Sequence, residues 1–286
     1  MCFMIPTNDK LVYLTSNRED DVFRKLYNTM IDDRWHPGEV GRLNINASIP
    51  NPTLKEDVIK TVALLNAFDM IAAIGHSKLL LLGDNCRVTG NYVMAVTEAA
   101  SSEAVHAESY REILTRMELD PDQRDAALLD ALTNSKHEPI LNFILNEDHF
   151  WIRMIVWEYV IFPMFFSKFL RLDTPGLILV NHMFSLIMRD EANHSILQRV
   201  QFKRCKDHFE YNTPKVIKGL IPEVVEFLRI EGFTGNDDHD FIMGRFGNLL
   251  GEKSNRFAVL EKILRDWLRP LKTNIMERTT SNYVTK

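Results

Sequence analysis

The chain has 286 residues, 45% of them hydrophobic and 26% charged, an ordinary globular composition with ample length for a substantial core. Its formal net charge of -5 gives no electrostatic case for binding nucleic acid. Three scattered cysteines, Cys2, Cys86 and Cys205, form no CxxC pair, which argues against a zinc ribbon, an iron–sulfur cluster or a disulfide framework. No long apolar leader opens the chain and no run reaches the ~18 uncharged apolar residues needed to cross a bilayer. A cytoplasmic protein without membrane contact is the expectation.

Residues 1–50 read as an irregular arm with one short helix, closing in the Asn- and Pro-rich loop 44–52. Thr53 and Glu56 have capping-box spacing and open a first long helix that Gly75 is expected to end near Ile74. Residues 79–90 read as a connector. A second helix is predicted from about Tyr92 to Met117, and a shorter one over 121–134. A third long helix runs from Glu138–Pro139 to about Leu170, and a fourth from Gly176 to about His208. Thr213 followed by Pro214 signals another helix start, residues 232–238 a turn, and further helices fill the chain to Trp267. No internal repeat and no convincing strand pair appears. The expected fold is all-α, a ferritin-like helical bundle with a di-metal site between four long helices. It forms one domain over residues 1–286, with residues 1–50 as arm, 53–208 as metal-binding core and 213–286 as additional helices.

Two pairs of residues motivate the metal. Glu103 and His106 on the second helix, and Glu191 and His194 on the fourth, each stand three apart, so one helix face presents both side chains. Both pairs lie in segments whose neighbours are apolar or small, where a carboxylate and an imidazole are costly to bury unpaired. A carboxylate-bridged metal pair in a bundle uses this device twice, with one further acid from each of two other helices. Asp69 is the lone acid of residues 64–74 and Glu158 the lone acid of residues 151–166. Carboxylates and imidazoles without thiolates suit iron or manganese.

Tyr110 follows His106 by four residues, on the same face, where a phenol beside an oxidising metal pair can lose an electron and a proton. Its plainer reading is a core tyrosine with a hydrogen-bonded hydroxyl. Phe162 and Phe166, four and eight residues past Glu158, and Ile187, four before Glu191, would sheathe the same space in apolar surface, or serve simply as core.

These residues resemble the small, radical-generating subunit of class I ribonucleotide reductase. Glu103, His106 and Tyr110 match that family's Glu-x-x-His-x-x-x-Tyr, and residues 189–194 match its Arg-Asp-Glu-x-x-His. Glu158 with Phe162 and Phe166 resembles its third ligand helix, and Asp69 its first ligand. Residues 34–40 and 272–277 resemble its Trp-x-Pro-Glu-Glu-Val and Lys-Thr-Asn-Phe-Phe-Glu segments. The similarity runs along nearly the whole chain and is loose over 205–268.

The resemblance implies roles. Asp69, Glu103 and His106 would bind the metal nearest Tyr110, and Glu158, Glu191 and His194 the other. The centre would be two iron ions, or manganese, activated by dioxygen and storing a radical on Tyr110. The radical would leave through His106, Asp190 and Trp35 toward the large subunit, which reduces ribonucleotides to deoxyribonucleotides. A homodimer is implied. A bland reading of Asp190 is an acid that only orients His106.

Three features depart from the family pattern. Only three residues follow Tyr283, where the family carries a docking tail, which leaves a truncated sequence, a tail on a separate chain, or lost coupling to a large subunit as the readings. Pro163 falls inside the third ligand helix, where a kink or bulge is expected. The interval from Asp69 to Glu103 is a few residues longer than usual. The alternative these features leave open is a stand-alone di-metal oxidase or oxygenase on the same scaffold.

Overall fold

A computed structural model describes the backbone of residues 21–38, 49, 51–81, 89–146, 148–165, 178–209, 213–233 and 235–250. Among these residues there are nine α-helices, one π-helical segment and no strand. The architecture is all-α and of the ferritin-like bundle type. Phe166, the segment 272–277 and Tyr283 lie outside the described residues.

The chain falls into two compact units, Met1–Asn134 with Leu170–His208, and Ser135–Phe169 with Phe209–Lys286. In the first unit, α1 (Asp21–Asp32) buries Phe23, Leu26 and Met30, an i, i+3, i+7 face. Phe23 meets Tyr92 edge-on at 5.2 Å, seating α1 on α3 (Gly90–Arg116). The long α2 (Pro52–Leu81) buries residues around much of its circumference, including Val62, Leu65, Phe68 and Leu79. It is long and apolar enough to cross a membrane, and most of its apolar stretch is buried inside the protein. Ala63 and Ala67 let α4 (Pro121–Thr133) approach closely through Ala131. Asn66, buried, donates to the Ala107 carbonyl at 2.6 Å and ties α2 to α3.

Helix ends follow local chemistry. Thr89 caps α3 by accepting from the Tyr92 amide, and Asp120 with Gln123 forms a reciprocal capping box on α4, with Pro121 in the first turn. Two expectations are corrected here. The α2 start is capped by Asn51, whose Oδ1 accepts from the Thr53 and Leu54 amides, so Thr53 lies inside the helix. Gly75 does not end α2, which continues to Leu81. A glycine weakens a helix interior by only ~1 kcal/mol, and burial of Leu79 beyond it offsets that cost.

In the second unit, the expected third long helix is three pieces. The first is α5 (Glu138–Leu145), the second α6 (Phe150–Val156), which runs directly into the third, the π segment Trp157–Ile161. The break has a local cause. Asn146 Oδ1 accepts from the Asp148 amide at 2.8 Å, and His149 takes a left-handed φ of 55°. In the π segment the Phe162 amide donates to Trp157 O, five residues back. The widening falls just before Pro163, whose missing N–H and ring disturb the regular ladder, as its position in the sequence led us to expect.

The helix α8 (Thr213–Ile230) ends in a Schellman motif. Gly232 has φ 83°, and Phe233 and Gly232 donate to Leu228 O and Arg229 O. Arg153 anchors this unit by pairing with Glu223 at 2.7 Å and donating to Asp148 O at 2.9 Å. The helix α9 (Asn236–Leu250) follows.

Candidate metal centre

Three helices of the first unit supply the centre. Asp69 comes from α2, Glu103 and His106 from α3, and Glu191 and His194 from α7 (Ile178–Phe209). All five are buried. One ligand atom each from Asp69, Glu103, His106 and Glu191 lies within 4.8 Å of the others. His76, Glu103 and His194 form a second group of the same tightness. Glu103 belongs to both, so the geometry suits two neighbouring cations with Glu103 between them.

The imidazoles are aimed by their outer nitrogens. His106 Nδ1 lies 3.1 Å from Glu191 Oε1, 3.4 Å from Glu103 Oε2 and 3.6 Å from Asp69 Oδ2. Its Nε2 lies 3.1 Å from Asp190 Oδ2, an acceptor that leaves Nδ1 free of its proton in the neutral ring. His194 Nδ1 lies 3.0 Å from Glu103 Oε1 and 3.5 Å from Glu191 Oε2. Ser102 Oγ, 2.7 Å from His194 Nε2, gives its own proton to Ala99 O and therefore accepts from the imidazole. Both rings thus present Nδ1 inward. Glu191 reaches both imidazoles, so it is not confined to the His194 side that the resemblance implies.

Glu103 Oε2, His106 Nδ1, Glu191 Oε1 and His194 Nδ1 are buried without a hydrogen bond of acceptable geometry, although they crowd one another. Buried polar atoms left so are costly, and cations at the two positions would satisfy all four. The donor set, oxygen and imidazole nitrogen without thiolate, fits hard to borderline first-row ions.

Charges inside the cluster balance each other strongly. Burial alone would raise the Glu103 carboxyl, but the His194 charge and contacts with His106, His194 and His76 hold it well below the usual range. Burial would lower His106, yet Asp190, Glu103 and Glu191 hold it well above the ordinary imidazole value. His194 is likewise raised against burial, by Glu191 and Glu103. These are the charges of a pocket arranged for positive ions.

Tyr110, fully buried on α3, has its hydroxyl pushed well above the ordinary phenol value, first by burial and then by Asp69, Glu191 and Glu103. The hydroxyl is near Asp69 without a hydrogen bond of standard geometry. Phe184, one turn of α7 before Ile187, lies 6.2 Å from the Tyr110 ring. Ile187 itself is fully buried.

On the outer side, Trp35 Nε1 donates to the same Asp190 Oδ2 at 2.8 Å, and the Trp35 and His106 rings lie 6.2 Å apart at 19°. Trp35 is strapped in place by its neighbours. Arg34 pairs with Glu98 of α3 through both carboxylate oxygens, and Arg189 of α7 donates to Asp33 O.

Glu158 and Phe162 belong to the second unit, where both are buried, Glu158 within the π segment and Phe162 against Trp157 at 5.5 Å. Sequence reasoning missed His76, Glu98, Ser102 and Gln198. Only His76 left a usable trace: it stands seven residues past Asp69, on the same face of any helix that continues through Gly75.

No family model matches the chain, and no curated protein matches it.

Proposed function

We propose that this chain is the radical-generating small subunit of a class I ribonucleotide reductase. The reading rests on one observation, the chain of contacts Trp35–Asp190–His106 leading into a carboxylate and imidazole cluster that has a buried Tyr110 beside it. A storage or structural bundle has no use for such a path.

Two iron or manganese ions held by Asp69, Glu103, His106, Glu191 and His194 would supply, with dioxygen, the oxidising equivalent that takes an electron from Tyr110. The phenolic proton passes toward Asp69, the carboxylate foremost among those acting on the hydroxyl. Burial of Tyr110 beside Phe184 keeps water and reductants from the phenoxyl radical. Asp190 holds Trp35 and His106 through one oxygen, so a single-electron exchange between the indole and the centre needs no rearrangement of side chains. The partner would be a nucleotide-holding large subunit, and the protein a cytoplasmic homodimer that initiates conversion of ribonucleotides to deoxyribonucleotides.

Electron paramagnetic resonance after anaerobic loading with ferrous iron, or manganese, followed by air tests the reading. A tyrosyl signal that disappears in Tyr110→Phe supports it. Bound metal with no radical under either loading would sink it and favour a stand-alone di-metal oxidase or oxygenase.

A further inference from the structure

We propose that His76 is itself a metal ligand, a third imidazole that with Glu103 and His194 completes the second cation position of the centre. It rests on the metal-binding half of the reading above and not on the radical. The ion would be a divalent first-row metal of the iron or manganese type, because the position offers carboxylate oxygen and imidazole nitrogens and no thiolate.

The placement follows from α2 running through Gly75. Seven residues is close to two helical turns, so His76 shares the face of Asp69. Side chains on a helix lean toward its N-terminus, which carries the His76 ring back along that face toward the cluster. The ring is fully buried. Its Nε2 lies 3.5 Å from Glu103 Oε1, the same oxygen that stands 3.0 Å from His194 Nδ1. Two imidazole nitrogens converging on one carboxylate oxygen from different helices is the arrangement a shared cation produces. The His76 and His194 rings meet edge-on at 5.5 Å, leaving both nitrogens directed at the same region.

Gln198, one turn beyond His194 on α7, sets the tautomer. Its amide nitrogen lies 3.4 Å from His76 Nδ1, while its Oε1 is buried with no hydrogen bond. The two ends of a glutamine amide are interchangeable in shape. Turned over, Oε1 accepts from Nδ1–H, which gives the buried oxygen its hydrogen bond. Nε2 is then bare and faces Glu103. This is the outer hydrogen bond that orients ligating histidines in general. It parallels Asp190 behind His106 and Ser102 behind His194.

The test is nitrogen-15 NMR of protein labelled only at its nine histidines and loaded anaerobically with two equivalents of Zn(II), a diamagnetic ion. A parallel calorimetric titration with Mn(II) compares wild type with His76→Gln. Three histidines are expected to show a metal-bound nitrogen in wild type and two in H76Q. Affinity for the second Mn(II) should fall in the variant by at least the about 10–100-fold that loss of an outer-shell partner costs. Two metal-bound histidines in wild type, or no metal-bound nitrogen, would overturn the proposal. So would an H76Q that binds both ions as tightly as wild type. The wild-type count stands whether or not the variant folds. Three metal-bound histidines without a radical after iron or manganese loading would defeat only the reductase reading; two alongside a radical would defeat only the role of His76.

Discussion

Trp35 and His106 share one oxygen of Asp190, at 2.8 Å and 3.1 Å, with their rings nearly parallel. Residues 155 and 84 positions away in sequence are thereby locked to a single carboxylate atom. Such sharing uses both lone pairs of one oxygen and is strongest when the acceptor carries negative charge, as a carboxylate does and an amide in the same place does not.

Asp190→Asn is therefore expected to disturb His106 more than Trp35. A neutral carbonyl in that place accepts both donors only weakly, and if the amide turns over its N–H2 faces both; of the two rings only His106 can answer by changing tautomer, which puts a proton on Nδ1. Mn(II) affinity measured by calorimetry should fall about 10–100-fold, whereas Trp35→Phe should leave it nearly unchanged. Equal, small effects for both variants would show that Asp190 does not orient the ligand.

Tyr110→Phe should fold normally. The hydroxyl is buried with no hydrogen bond of standard geometry, and a buried polar group left so costs about 1–3 kcal/mol. Removing it is expected to leave metal-free stability within about 1 kcal/mol of wild type, or to raise it. Denaturant unfolding measures this without any metal. A loss of several kcal/mol would mean that the hydroxyl has a structural partner, and the plainer reading of Tyr110 as a core residue would gain.

The parts of the centre that are local in sequence were legible in it. Glu103 with His106, and Glu191 with His194, are three apart, and helical geometry alone puts each pair on one face. Asp190 was legible through the resemblance of residues 189–194 to the Arg-Asp-Glu-x-x-His pattern, with which its place beside Glu191 but off that face agrees. His76 was lost because Gly75 was taken to end the helix, a rule that tertiary burial overrides here. Ser102, Glu98 and Gln198 act only through partners far along the chain, and no spacing announces them. The break at 146–149 had a signal in Asn146 and Asp148, overshadowed by the apolar segments on either side. The division of helices between two compact units depends on contacts that no local pattern encodes.

Glu103 is the residue on which metal-linked stability should depend most. Its Oε1 faces His194 and His76, and its Oε2 faces His106. Mn(II) at a hundred times its dissociation constant stabilises the folded state by about 2.7 kcal/mol, equivalent to a rise in Tm of roughly 5–10 °C. Chelator should reverse the rise. In Glu103→Gln, which keeps the side-chain volume but loses the charge, added Mn(II) should leave Tm unmoved. A full shift in the variant would place the ions elsewhere.

Glu231 offers a pH dependence remote from any metal ligand. It lies just past α8, buried, with Oε1 3.0 Å from His137 Nδ1 and Oε2 3.4 Å from Lys136 Nζ. Burial alone would raise its pKa, but His137 and Lys136 outweigh it and hold the folded-state value below the ordinary 4.5. As pH falls, the unfolded chain therefore takes up this proton before the folded one does. The stabilisation is complete above the unfolded value near 4.5 and is lost as pH drops through the folded value. Hydrogen bonds to a charged group are worth about 1.5–3 kcal/mol, and Glu231→Gln should cost roughly that at neutral pH. Denaturant unfolding of both proteins as a function of pH should show the gap narrowing as the pH is brought well below 4.5. A gap that stays constant across that range would mean that the carboxylate's charge contributes nothing to holding the 135–137 turn against the end of α8.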